Sequence, residues 1–95
     1  MEQHIRKSIH FYGRVQGVGF RYHAVHKAHQ LGLTGWVKNC WDGSVEMEVQ
    51  GMEPLIDELL LYLRRQTYIL IEDMKIHSVP LADDNDFYEI EATGF

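Results

Sequence analysis

With 95 residues, 45% of them hydrophobic and 24% charged, the chain has the length and composition of one globular domain, residues 1–95, and no room for a separate cofactor-binding domain. Its net charge of −5 argues against nucleic-acid binding, because sequence-independent binding of that kind depends on an excess of Lys and Arg. The single cysteine, Cys40, excludes an internal disulfide, and no apolar segment has the length of a signal peptide or a membrane span, so we expect a cytoplasmic protein that binds no membrane.

The first part of the chain predicts a strand, a glycine-rich loop and a helix. Apolar and polar side chains alternate over Ile5–Val15, which is typical of a strand with one buried face. Over Phe20–Leu31 the apolar residues instead recur with the period of a helix, and Gly32 follows as a C-terminal stop. The glycine-rich stretch Gly13–Gly19 is therefore expected to lead into the N-terminus of a helix.

The rest of the chain predicts four strands and a second helix. The expected elements are a strand over Leu33–Cys40, an Asp-Gly turn over Trp41–Ser44, a strand over Val45–Gln50, a helix from Pro54 to about Arg65, and strands over Met74–Val79 and Phe87–Ala92. The conformation of Gln66–Ile71 stays open, because the apolar Tyr68–Ile71 either precedes the fourth strand or begins it. This order predicts an α+β fold, a ferredoxin-like split βαβ sandwich with an antiparallel sheet, two helices on one face and a short last strand (βαββαβ plus one).

The loop before the first helix has the features of a phosphate-binding loop. Gly17 and Gly19 allow the backbone to turn and a ligand to approach closely. The loop ends at a helix N-terminus, where the first amide groups have no intrahelical partner, and Arg21 in the first turn can contact two phosphate oxygens at once. Taken alone, however, glycines before a helix more often only make room for a tight turn, so both interpretations stay open here.

Asn39, near the end of the second predicted strand, is the other candidate site residue. Its amide offers a donor and an acceptor on one planar group, so it can hold a water molecule with one atom and a phosphate oxygen with the other. The alternative is that Asn39 only caps the turn that follows it.

Two segments resemble the acylphosphatase family at matching separation. Gly13–Arg21, with the sequence GRVQGVGFR, resembles the family's phosphate loop, and Leu31–Asn39, with the sequence LGLTGWVKN, resembles its second motif. The likeness continues through the Asp-Gly turn and the following strand, and it fades after Arg65. The resemblance implies a metal-independent enzyme that hydrolyses the carboxyl–phosphate anhydride bond of acyl phosphates to carboxylate and inorganic phosphate.

The resemblance also implies a role for each matching residue. The implied catalytic residues are Arg21, which binds and neutralises the phosphate, and Asn39, which orients the attacking water. The implied phosphate-binding residues are Arg21 and the backbone amides of Gln16, Gly17, Val18, Gly19 and Phe20. Neither a cofactor nor a metal is implied, and the expected partners are a small acyl phosphate and its product phosphate, which would also inhibit. The expected state is a monomer.

Other kinds of protein share some of these features. The alternative is a non-catalytic phosphate-binding module of the same fold. An RNA-binding module of the RRM type shares the element order, but its aromatic sequence belongs on a central strand, whereas Gly17–Phe20 leads into a helix. The family fold also occurs inside a larger hydrogenase maturation factor, and the end of the sequence at Phe95 favours a free-standing enzyme.

His23, His26 and His29 invite a metal site on the first helix. On a helical wheel they lie opposite the apolar stripe, so we expect all three to face solvent and to bind no metal. For Cys40 we expect a half-buried thiol rather than a nucleophile.

Overall fold

The computed structural model describes residues 3–91, which form five strands and two helices. In chain order they are β1 His4–Arg14, α1 Phe20–Leu31, β2 Thr34–Asn39, β3 Val45–Met52, α2 Glu53–Arg64, β4 Leu70–Val79 and β5 Phe87–Ile90. Both helices match the predicted positions to within a residue. The predicted last strand extended to Ala92, which lies outside the described residues. Within residues 3–91, no helix has the length and apolar character needed to cross a membrane.

The strands form one sheet in the order β4-β1-β3-β2-β5. β1 pairs antiparallel with both β3 and β4, and β2 pairs antiparallel with β3, as the predicted ferredoxin-like α+β fold requires. The short strand β5 adds to the edge in parallel with β2, so the five-stranded sheet is mixed. Alternating side chains show which residues share a face of a sheet, but they do not show the direction of the neighbouring strand.

The segment Gln66–Ile71, left open by the sequence, divides between a turn and a strand. Ile69 donates its N–H to the carbonyl of Gln66 over 3.3 Å, and β4 then begins at Leu70, four residues before the predicted start at Met74. The early start pairs β4 with the end of β1, where a bulge follows Tyr12. Gly13 makes this pairing possible, because a Cβ there would lie 2.2 Å from the carbonyl oxygen of Leu70.

The hydrophobic core lies between the helices and one face of the sheet. Its largest fully buried side chains include Phe11, Phe20, Met47, Ile56 and Leu59. Phe20 is the first residue of α1, and its ring packs against Phe11 of β1 with centroids 4.8 Å apart. The core therefore fixes the helix end at which the glycine-rich loop arrives.

The opposite face of the sheet holds a buried cation that the sequence pattern did not predict. Arg6 is 4% exposed, and its guanidinium lies 2.7 Å from Glu48 and 2.8 Å from Asp84. Asp84 belongs to the connection from β4 to β5, which must cross the sheet from one edge to the other. Gln50 of β3 holds the same connection through two hydrogen bonds to the backbone of Ala82. The ion pairs therefore hold the connection against the sheet.

Arg6→Ala is expected to lower the free energy of unfolding by about 2–4 kcal/mol, because it leaves the Glu48 and Asp84 carboxylates facing each other without a cation. Urea unfolding followed by circular dichroism measures this. Lys7→Ala is the matched control, since Lys7 pairs with the exposed Glu53 and such pairs contribute under about 1 kcal/mol. Equal losses in the two variants would show that the Arg6 ion pairs do not stabilise the fold.

Candidate active site

The loop between β1 and α1 leaves the first amide groups of the helix without side-chain partners. Gly19 is the N-cap residue and has a left-handed backbone, with φ 81° and ψ 15°, and no side chain caps the helix there. Gly17 is also left-handed, with φ 73°, a conformation that other residues adopt only with strain. His23 donates the first intrahelical hydrogen bond, to the carbonyl of Gly19. The N–H groups before His23 are therefore available to an anion.

A cavity of about 200 Å³ opens at this helix end. Its lining residues are Val15, Gly17, Gly19, Phe20, Arg21, Tyr22, Asn39 and Glu89. Arg21 and Asn39, which come from different elements, thus meet in one cavity with the glycines of the loop. Two of the expected phosphate-binding residues, Gln16 and Val18, do not line it.

The Gln16 side chain holds the loop in place through hydrogen bonds to another segment of the chain. Its side-chain amide donates hydrogen bonds to the carbonyl oxygens of Cys40, over 2.6 Å, and Ser44, over 2.8 Å. These contacts join the loop to the turn between β2 and β3, immediately after Asn39. The sequence pattern indicates a role only for the backbone of Gln16, because the hydrogen bonds of its side chain join segments that are distant in the chain.

Asn39 ends β2 and pairs with Val45 of β3 in the sheet. The turn that follows is capped by Asp42, whose carboxylate accepts the N–H of Ser44 over 3.0 Å. Within residues 3–91 no protein hydrogen bond uses the Asn39 side chain. Its amide is therefore not the cap of this turn, and it can act on a ligand in the cavity.

Glu89 is a site residue that sequence reasoning missed. It lies on β5, and its Oε2 atom is 2.9 Å from Nη1 of Arg21. The parallel pairing places Glu89 beside Val37 of β2, two residues from Asn39. Because the direction and partner of β5 were not predictable, no local pattern pointed to a carboxylate in this cavity.

Glu89→Gln is expected to strengthen inhibition by inorganic phosphate by about 3–5-fold, because the Glu89 carboxylate and a phosphate compete for the guanidinium of Arg21. The inhibition constant of phosphate measures the effect. Glu58→Gln, which removes the same charge from a weak pair on α2, is the matched control and should leave the constant unchanged. A loss of turnover in Glu89→Gln without tighter phosphate binding would instead indicate that Glu89 assists the reaction.

The three helix histidines form no metal-ligand cluster among residues 3–91, and the expectation that they face solvent is confirmed for His26 and His29 but is wrong for His23. His23 is half-buried, with Nδ1 3.3 Å from the hydroxyl of Tyr62 on α2. Nε2 of His29 lies 2.8 Å from the carbonyl oxygen of Phe87, although the His29 side chain, like that of His26, is exposed. Tyr62 of α2 and Phe87 of β5 therefore contact residues of α1 that lie outside its apolar stripe. Cys40 is half-buried, as expected.

Comparisons with known proteins agree with the fold and extend the resemblance. The Acylphosphatase family model matches residues 7–90. An acylphosphatase of Bifidobacterium longum is 42% identical over 84 residues, covering 84% of each chain. The crystal structure of acylphosphatase from Bacillus subtilis superposes with a TM-score of 0.84 at 31% identity, covering 90% of this chain and 98% of that one. Full-length HypF, in its phosphate- and nucleotide-bound form, matches with a TM-score of 0.81 at 25% identity over 100% of this chain and 13% of its own.

The family match and the relatives together define a hydrolase that acts on acid anhydrides. The chain belongs to the acylphosphatase family, and the substrate class that this family implies is a small acyl phosphate. The match over residues 7–90 also covers the last two strands, which lie beyond Arg65, where the likeness seen in the sequence had faded.

Proposed function

We propose that the chain hydrolyses acyl phosphates by in-line attack of a water molecule that Asn39 orients, on a phosphoryl group held by the amides of Gln16–Phe20 and by Arg21. The observation that carries the proposal is the shared cavity, which Arg21 and Asn39 line together with Gly19, the N-cap residue of α1.

The charge of the transition state explains why these groups suffice. Negative charge spreads over the equatorial oxygens of the transferred phosphoryl group, and preorganised N–H donors with one guanidinium can stabilise it. Arg21 stays charged at any relevant pH and its planar group contacts two oxygens together. The carboxylate of an acyl phosphate is a good leaving group, so the reaction needs positioning more than it needs a strong base.

The proton of the attacking water passes, in this proposal, to the phosphate of the substrate. In the part of the chain that the structure describes, no histidine lines the cavity and its one carboxylate, Glu89, is paired with Arg21. The rate is therefore expected to change little between about pH 5 and pH 8. A sharp titration near about pH 6.5 would point to a histidine instead.

The deciding experiment is hydrolysis of benzoyl phosphate by the purified protein in excess EDTA. Fast turnover supports a metal-independent acylphosphatase, because Arg21 and the helix amides supply the positive charge that a metal would otherwise provide. A phosphate monoester such as p-nitrophenyl phosphate serves as the control substrate, and it should react far more slowly because its leaving group is poorer. Folded protein that binds phosphate but hydrolyses neither compound would favour the non-catalytic phosphate-binding module.

A further inference from the structure

Three residues with metal-ligating side chains meet outside the catalytic cavity. They are His10 on β1 and Cys40 and Asp42 in the turn between β2 and β3. One ligand atom from each, a ring nitrogen, the thiol sulfur and a carboxylate oxygen, lies within 4.8 Å of the other two. None of the three lines the cavity that holds Arg21 and Asn39.

The donor set matches one class of metal ion. Thiolate and imidazole with one carboxylate suit zinc and similar transition-metal ions, whereas magnesium and calcium prefer oxygen ligands alone. Neighbouring ligand atoms in a tetrahedral zinc site are about 3.3–3.6 Å apart, so the cluster must contract by about 1 Å. The Cys40 thiol makes no hydrogen bond within residues 3–91, so rotation of that side chain can supply the movement.

Ser44 holds two of the three ligands in place. It is 3% exposed, and its hydroxyl oxygen lies 2.6 Å from Nε2 of His10 and 2.5 Å from Oδ1 of Asp42. The hydroxyl and the backbone N–H of Ser44, both donated to Asp42, keep the pKa of that carboxyl below its ordinary value of 3.8. His10 also stacks on Tyr12, with ring centroids 4.7 Å apart. Such supporting contacts typically orient metal ligands before the ion binds.

The backbone on the sulfur side is also fixed. The carbonyl oxygen of Cys40 accepts a hydrogen bond from the side-chain amide of Gln16, and the N–H of Cys40 donates to the carbonyl of Ser44 over 2.8 Å. These hydrogen bonds fix the backbone of the turn from which the Cys40 thiol projects.

We propose that His10, Cys40 and Asp42 form a binding site for zinc or a similar divalent transition-metal ion, with water as the fourth ligand. As the metal–sulfur bond forms, the Cys40 thiol releases its proton to solvent, and the imidazole binds in its neutral form. The proposal adds a site to the molecule and leaves the metal-independent hydrolysis at Arg21 and Asn39 unchanged.

Cobalt(II) titration of the purified full chain tests the site by its spectrum. Cys40 is the one cysteine of the chain, so a near-ultraviolet thiolate-to-cobalt charge-transfer band can arise from no other residue. We expect this band to saturate at one cobalt per chain and to disappear when zinc is added. Absence of the band would overturn the proposal without recourse to any variant.

Zinc affinity, measured by competition with a chromophoric chelator, then tests the three ligands. Cys40→Ser should weaken binding by about 100-fold, and His10→Gln and Asp42→Asn by about 10-fold or more each. His26→Gln, on the exposed face of α1, is the matched control and should bind zinc as the wild type does. Circular dichroism verifies the fold of each variant. Unchanged affinity in folded Cys40→Ser, or a zinc-bridged dimer in sedimentation, would overturn the single-chain site.

Discussion

Arg21→Gln is expected to reduce kcat/KM for benzoyl phosphate by about 10³-fold. Among residues 3–91, Arg21 is the one cationic side chain that lines the cavity, and its guanidinium is 2.9 Å from a carboxylate, so it already holds an anion there. Glutamine keeps a planar donor but loses the charge. Because the phosphate carries its charge both before and during the reaction, KM and the inhibition constant of phosphate should rise while kcat falls. Steady-state kinetics with phosphate inhibition separates these effects.

Arg14→Gln is the matched control for that variant. Arg14 is exposed at the end of β1, at the start of the same loop, and it does not line the cavity. Arg14→Gln removes the same charge as Arg21→Gln, and its kinetic constants should stay within about 2-fold of wild type. A comparable loss in both variants would show that net charge near the loop matters, rather than contact by Arg21. Because the Arg21–Glu89 pair is partly exposed, the free energy of unfolding should change by under about 1 kcal/mol in Arg21→Gln.

Asn39→Ala is expected to lower kcat by about 10²–10³-fold while KM changes little. The proposed task of Asn39 is to hold the attacking water, which matters in the transition state more than in substrate binding. Its side chain makes no hydrogen bond within the described residues, so stability should be nearly unchanged. Single-turnover kinetics with benzoyl phosphate measures the loss of rate, and thermal unfolding measures the stability.

Asn85→Ala supplies the control, since Asn85 is exposed in the connection between β4 and β5. Its kinetics should match the wild type. A higher KM with unchanged kcat in Asn39→Ala would assign Asn39 to substrate binding instead. Full activity would remove it from the mechanism.

The predictable features of this molecule are those encoded by nearby residues. Period-two alternation identified β1 and β3, and helical periodicity with Gly32 identified the length of α1, because burial on one face is a local property of the pattern. The order of the elements then limited the topology to a split βαβ sheet. The loop could be placed at the N-terminus of α1 for the same reason.

The features that sequence analysis missed depend on distant segments. Arg6 is buried by Glu48 and Asp84, and Arg21 is paired with Glu89, in each case through a connection or strand whose direction no pattern specified. The bulge after Tyr12 likewise moved the start of β4 to Leu70. Single-domain organisation, the monomeric state and a cytoplasmic location stay predictions.

The central position of β1 has a consequence for how the chain reaches this fold. β1 precedes both of its neighbours in the sheet, β3 and β4, by a long stretch of chain. Such long-range pairings raise the contact order and slow folding, because loops must close before the pairs form. Until then both edges of a long strand are unpaired and can associate with another chain. A low concentration of unfolded chains should therefore favour folding over aggregation.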